Sequence, residues 1–375
     1  MSVYLDHNAT AKVRPEAIAA MTRTMENVGN PSSIHAAGRA ARAVMEQARA
    51  DVAALIAAPA STVVFTSGGT EANALAMESA IAAGAKRLIV SAIEHDSIRE
   101  TAAASGVAVE VLPVTPDGVA DLAWLDARLA RWNAADGKPF VALMLANNET
   151  GVIQPVAEAS GIVRDADGWL HVDAIQAAGK IAVDSRALGA DTLAVSAHKI
   201  GGPQGVGALT FGPRATLARR QHGGGQERGR RGGTENLPGI SGFGAAAKIA
   251  IAGLGGQAAL RDAAAERLKA AGAVVIGEAS PRLPNTLCVA MPGWTSDLQV
   301  MALDLAGVMV SAGSACSSGK VKASPVLSAM GLDDLAGCAI RVSGGWSTTP
   351  EDWTRFADVW LQSHARHAAR REEVA

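Results

Sequence analysis

The chain has 375 residues, 49% of them hydrophobic and 19% charged, with a formal net charge of −2. This is the composition of a soluble globular protein long enough for two domains in one subunit, and its near-neutral balance gives no electrostatic case for binding nucleic acid or an anionic membrane. No apolar run approaches the roughly 20 residues that span a bilayer, and Asp6 follows the initiator too closely for a signal peptide, so a cytoplasmic protein with a small ligand is expected.

In chain order, residues 39–57 have helical composition, 62–66 read as a strand and 71–83 as a helix. Strands are expected at 87–91, 107–113, 141–146, 169–172, 192–196 and 207–211. Such alternation predicts an α/β domain with a mostly parallel sheet, in which ligands gather beyond the carboxyl ends of the strands. From Gly242 an alanine-rich helix runs to Ile251, and a glycine-rich break at 253–256 precedes a second helix ending near Ala271. Short strands at 286–290, 308–311 and 339–343 and a helix at 353–368 then suggest a smaller α+β domain. The expected division is 13–252 for the large domain, with 1–12 and 253–375 forming the small one. One Tyr and five Phe predict an aliphatic, alanine-rich core.

The polar clusters fall where strands end. Ser67-Gly68-Gly69-Thr70-Glu71 is a strand, a Gly-Gly turn and a helix start with Thr70 as the expected cap, a place where free N–H groups and the helix dipole favour phosphate. His95 follows the strand at 87–91 and either stacks on a ring as an acid–base group or sits solvated in a loop. Asn148 offers an amide to a ring hydroxyl, although Asn-Asn before Gly is also ordinary turn chemistry. Asp173 ends a strand, where a buried carboxylate needs a cation such as a protonated pyridine nitrogen, unless it caps a helix. Lys199 lies between an apolar run and a glycine-rich turn. It is either a desolvated amine able to form a Schiff base or a lysine snorkelling from the strand end. Lysine, carboxylate and phosphate cradle together fit pyridoxal phosphate.

Later in the chain, residues 221–236 form a glycine-rich, basic stretch that reads as a flexible anion-seeking loop or a solvated hinge. The three cysteines have neither paired nor metal-ligand spacing, so no metal site or disulfide framework is expected. Cys316 stands among small residues near Lys320 and Lys322 and is the expected nucleophile, whereas Cys288 and Cys338 read as core. Arg341 interrupts a strand and can grip a carboxylate through two parallel hydrogen bonds, or make a structural ion pair.

The motifs Tyr4-Leu5-Asp6-His7-Asn8-Ala9-Thr10, Ser67–Glu71, Glu94-His95, Asn147-Asn148-Glu149-Thr150-Gly151, His171–Gln176 and Ser196-Ala197-His198-Lys199 keep their order along nearly the whole chain. They resemble the cysteine desulfurases of the class V aminotransferase group, with the aspartate-aminotransferase-like fold. The resemblance implies that Lys199 forms the Schiff base with pyridoxal phosphate, Asp173 pairs with the pyridine nitrogen and His95 stacks on the ring. Asn148 and Gln176 would contact the ring hydroxyl, and Gly69, Thr70, Ser196 and His198 the phosphate. The 221–236 segment would reach a neighbouring subunit in a homodimer, with Thr234 matching a phosphate contact there. Arg341 would anchor the substrate carboxylate, helped by Asn8 and Asn148. The implied activity takes sulfur from L-cysteine, leaving L-alanine and a persulfide on Cys316 that passes to an iron–sulfur scaffold or other acceptor. Selenocysteine lyase, another class V aminotransferase, a kynureninase-like hydrolase and a non-catalytic binding protein on the same fold are the alternatives. Two departures stand out. Gly344-Gly345-Trp346 replaces a Leu/Phe-Gly-Arg run common in that family, and Lys320-Val321-Lys322 is more basic than the usual version.

Overall fold

A computed structural model describes residues 2–313 and 323–372. Its largest sheet has seven strands in the spatial order Val63–Thr66, Gly207–Phe211, Thr192–Ser196, Trp169–Asp173, Phe140–Ala142, Arg87–Ser91 and Ala108–Leu112. Gly207–Phe211 runs antiparallel to both neighbours and every other pairing is parallel, as the alternating pattern predicts. The strands nearest the site, Trp169–Asp173 and Thr192–Ser196, are buried at every residue, which requires cover on both faces.

The strand expected over 141–146 is shorter than its apolar run. Past Ala142, Leu143 and Leu145 still donate to His171 and Asp173 at 3.0 and 2.8 Å. On the other side, the Met144 N–H is taken by the Glu94 carboxylate instead of a strand. The helix expected from residue 242 begins earlier, at Leu237. Asn236 caps it by accepting from the Gly239 N–H at 3.1 Å, and Pro238 needs no partner in the first turn.

A second apolar core lies around an antiparallel four-stranded sheet, ordered Ser311–Ala312, Ala339–Ser343, Thr286–Ala290 and Val274–Val275. It departs from the aliphatic expectation: Trp294, Trp353, Phe356 and Trp360 are essentially buried there. The single strand expected over 308–311 is two pieces. Val308–Met309 pairs with Val3–Tyr4, and Ser311–Ala312 pairs with Ala339–Ser343. Among the described residues no helix is long and apolar enough to cross a membrane.

The 221–236 segment is pinned at its middle. Glu227 and Arg49 are 5% and 2% exposed, and the carboxylate takes the guanidinium through Nη1 at 2.7 Å and Nη2 at 2.9 Å. The same carboxylate accepts the Phe65 N–H at 3.0 Å, while Arg49 also donates to the Val63 carbonyl at 2.9 Å and lies 4.8 Å over the Phe65 ring. A fixed buried ion pair thus replaces the solvated hinge. Removing one partner strands the other charge, so Glu227→Ala is expected to cost about 3–5 kcal/mol in denaturant unfolding of the chain. A loss below about 1 kcal/mol would mean that water reaches Arg49 and the pair is not closed.

Candidate active site

The site forms where adjacent strands of the large sheet end. Beyond Ser196 the chain makes a tight turn over Ala197–Lys199, and the half-buried Lys199 Nζ donates to the carbonyls of Asn8 and Ala9, each at 2.7 Å. Gly201, two residues on, has φ +88, and a Cβ there would stand 2.7 Å from Arg14 Cγ and 3.1 Å from Trp346 Nε1. The turn therefore needs glycine twice over, for its backbone and for the close approach. Trp346 donates to the Lys12 carbonyl at 2.7 Å and its ring carries the Arg14 guanidinium at 5.1 Å, while Arg14 Nε donates to the Ile200 carbonyl at 2.9 Å. The departure at Gly344-Gly345-Trp346 thus packs the N-terminal segment against the lysine turn.

Asp173 ends the next strand and is 4% exposed. Oδ1 accepts the Ile175 N–H at 2.9 Å, a local turn bond, and Oδ2 accepts from Asn73 Nδ2 at 2.8 Å. Burial lifts its pKa, opposed by these bonds and by the positive charges of His95 and Lys199. Behind it, Asn73 Oδ1 lies 3.0 Å from His171 Nε2, and His171 Nδ1 lies 2.9 Å from Thr192 Oγ1, which accepts from Trp169 Nε1 at 3.1 Å. Both Asn73 amide hydrogens go to Asp173 and Ser97, so His171 must donate through Nε2 and accept through Nδ1. Burial lowers the His171 pKa to about 3, so this relay holds Asp173 with neutral groups.

His95 caps the helix Asp96–Ala104. Its Nδ1 accepts the Ser97 N–H at 3.0 Å and lies 2.9 Å from the Ser97 hydroxyl, so in the neutral ring the proton sits on Nε2. His198 is half-buried beside Thr10, its Nδ1 3.3 Å from the hydroxyl. Burial, then the charges of Lys199, His95 and Lys180, lowers its pKa to about 4, so it is neutral at pH 7.

The phosphate cradle differs from expectation in one respect. The helix Gly69–Ala82 begins one residue before Thr70, with Gly68 at the cap and no side-chain cap bond, so Thr70 lies inside the first turn and is exposed. What would otherwise cap the turn is engaged elsewhere: Glu71 accepts the Ser67 N–H at 2.7 Å and Arg231 Nε at 3.0 Å. The first N–H groups of the helix thus meet no capping side chain, which suits an anion. A Cβ on Gly69 would stand 2.2 Å from Ile175 Cδ1, so any larger residue would have to displace the tip of that side chain, and the same point is 3.6 Å from the Ser196 Cβ, so Gly69 and Ser196 come together. Thr234 is exposed and bonded to none of these residues.

On the small-sheet side, Arg341 is 4% exposed. Nη2 pairs with Asp6 Oδ1 at 2.8 Å and Nη1 donates to the Asn148 carbonyl at 3.2 Å, while the buried Nε–H has no partner among the described residues. The structural ion pair is therefore present, and part of the guanidinium remains for a carboxylate. Asn8 is 1% exposed and its side chain is engaged within the protein: Nδ2 donates to the Asn148 carbonyl and Thr286 Oγ1, at 3.2 and 3.0 Å. Its Oδ1 accepts from Lys180 and Asn285, at 2.6 and 3.3 Å. Asn148 is half-buried, with its carbonyl shared by Asn8 and Arg341. Gln176 donates to the Asn8 carbonyl at 2.9 Å.

Cys316, Lys320 and Lys322 lie outside the described residues. The flanks converge on Glu149: Ser324 donates to its Oε2 at 2.6 Å, and a Cβ on Gly313 would stand 2.4 Å from the same oxygen. Cys288 is a core thiol whose pKa burial raises, whereas Cys338 is half-buried, the strand Ala339–Ser343 starting only after it. No group of three or more metal-ligating side chains occurs among the described residues.

A family model for class V aminotransferases matches residues 3–356. The chain belongs to the class V aminotransferase family. Within this family it is similar to a cysteine desulfurase of Cereibacter sphaeroides, 42% identical over 369 residues that cover 95% of this chain and 94% of the relative. It is 38% identical to the cysteine desulfurase IscS of Dictyoglomus turgidum, over 95% and 93% of the two chains. A NifS-like protein from Rickettsia africae superimposes with a TM-score of 0.89 at 32% identity, covering 97% of this chain and 100% of that one. The family depends on pyridoxal phosphate, and the residues here fit it. Asp173 is a buried carboxylate that a pyridinium would neutralise, the uncapped helix suits a phosphate, and Lys199 is the amine near both.

The sequence reading missed Asn73 and Lys180. Each is a lone polar residue among small apolar ones, Ala72-Asn73-Ala74 and Ala178-Gly179-Lys180-Ile181, and that isolation was the available signal.

Proposed function

We propose that this protein is a cysteine desulfurase, converting L-cysteine to L-alanine and carrying the sulfur as a persulfide on Cys316. The observation that carries the reading is likeness to cysteine desulfurases along the whole chain, joined to a site in which Lys199 and Asp173 follow adjacent strands and Arg341 keeps a buried N–H. Bound pyridoxal phosphate would supply an electron sink for the carbon beside the substrate amine.

The chain's own residues do the rest. Arg341 holds the substrate carboxylate through its remaining N–H groups, next to Asn148, with Asn8 fixing the wall behind. Lys199 would attach the cofactor and move the proton at the α-carbon; Asp173 would hold the proton of the pyridine nitrogen; Gln176 and Asn148 would contact the ring hydroxyl. Gly69, Thr70, Ser196 and His198 receive the phosphate, and Thr234 completes the same cradle in a second copy, making a homodimer. His95 would stack on the ring and, with Nδ1 held by Ser97, present its Nε2–H to the substrate sulfur as the acid–base group. The Cys316 thiolate attacks the substrate sulfur: one S–S bond forms, one C–S bond breaks, and the former C–S carbon gains a proton as the methyl of alanine. The thiol plus cysteine thus become persulfide plus alanine with no external oxidant. The persulfide passes to an iron–sulfur scaffold or another acceptor protein, in a reducing cytoplasm.

The test is incubation of the cofactor-loaded protein with L-cysteine and an excess of dithiol. Alanine and sulfide should appear in equal amounts. Transfer of the amino group to an added keto acid, without sulfide, would replace this reading with a transaminase.

A further inference from the structure

Lys180 has no role in the chemistry above, yet it is 5% exposed and lies at the centre of the site's hydrogen bonding. Its Nζ donates to Asn8 Oδ1 at 2.6 Å and to Gln176 Oε1 at 2.5 Å, both neutral amides. The charged and titratable groups acting on it or acted on by it are Lys199, Arg341, His7 and His198, none of them acidic.

An amine that meets two amides through its hydrogens takes the oxygen of each, and this decides where their nitrogens go. Asn8 Nδ2 is left to bond Asn148 and Thr286. Gln176 Nε2 gives one hydrogen to the Asn8 carbonyl at 2.9 Å, the carbonyl that Lys199 also reaches at 2.7 Å. One N–H of Gln176 remains. Burial first, then Lys199 and Arg341, lowers the Lys180 pKa well below its ordinary value, but a neutral amine still has the two hydrogens this arrangement needs.

We infer that Lys180 is a positioning residue that locks the Gln176 amide with its oxygen turned away, so that Gln176 offers the cofactor's ring oxygen an N–H donor and favours its ionised form. This rests on the pyridoxal phosphate reading. A donor stabilises the ring oxygen as an anion, whereas a flipped amide would present an oxygen and favour the protonated form. The Asn8 carbonyl, which can only accept, holds the nitrogen end of this amide, and Lys180 is the group that fixes its oxygen end.

The experiment compares wild type, Lys180→Met, Gln176→Leu and the double variant, reconstituted with pyridoxal phosphate and titrated with pH by absorbance. The ratio of ionised to protonated ring oxygen at fixed pH should fall roughly tenfold in Lys180→Met, the scale of one hydrogen bond to a charged group. Gln176→Leu should fall similarly, and the double variant no further. In the cofactor-free proteins, the melting temperature of the double variant should fall by less than the sum of the single losses. An unchanged ratio in a cofactor-loaded Lys180→Met, or additive losses in the double variant, overturns the inference. Should Lys180→Met fail to fold, Gln176→Glu keeps a partner for Lys180 but has no N–H to offer: it should fold and still lose the ionised form, and retention of that form overturns the inference equally. Absence of any cofactor spectrum in wild type would instead defeat the pyridoxal phosphate reading itself.

Discussion

Lys199→Ala is expected to remove the yellow colour of the reconstituted protein and to lower cysteine turnover by about 10⁴-fold or more, since proton transfer alone contributes 10²–10⁴-fold. Two functions are lost together: the covalent attachment of the cofactor and the base at the α-carbon. The fold should survive. The lysine is half-buried, it donates to the main-chain carbonyls of Asn8 and Ala9, and the turn that carries it is held by Gly201, Arg14 and Trp346. Far-ultraviolet circular dichroism and the absorbance spectrum, measured on one sample, separate the outcomes. A variant that is folded, still yellow and still active would show that another amine attaches the cofactor, and Lys180 would be the first to examine.

Cys316→Ala should do the opposite to the spectrum. The proposed cofactor site draws on Asp173, Lys199 and the helix Gly69–Ala82, so colour and the spectral change on adding L-cysteine should persist, while sulfide release falls by roughly 10³-fold or more, as for loss of a nucleophile. The remaining thiols are poor substitutes: Cys288 is buried with its pKa raised, and Cys338 adjoins the strand Ala339–Ser343. Undiminished sulfide release from this variant would end the persulfide mechanism. Retained colour with altered substrate response would instead separate cofactor binding from sulfur transfer.

How much was legible varied with the range of the interaction. The central strands could be read because both faces are buried, so Thr192–Ser196 and Gly207–Phe211 appear as mostly apolar runs with sharp ends. The 141–146 run could not be ended correctly, because what stops the strand is the Glu94 carboxylate reaching Met144 from a distant loop. Likewise the cap of the Gly69–Ala82 helix was misplaced by two residues: Thr70 has the better capping chemistry, but the helix begins at Gly69 with Gly68 as its cap. Lys199 and Asp173 were visible from their flanks. Lys180 and Asn73 act through partners far along the chain, and a single sequence carries no trace of such pairs beyond an oddly apolar neighbourhood.

The arrangement of the N-terminal segment bears on how the molecule reaches its working state. Val3–Tyr4 joins a strand near residue 308, Asp6 pairs with an arginine 335 positions away, and the Asn8 and Ala9 carbonyls receive Lys199. Such contacts close very long loops, whose entropy must be met before any contact returns stability. The large sheet can collapse on its own aliphatic core well before that. Assembly of the site is therefore expected late in folding, and a compact intermediate with a formed sheet would have its lysine in place but no wall opposite it. The time course of cofactor capture then reports the last step of refolding.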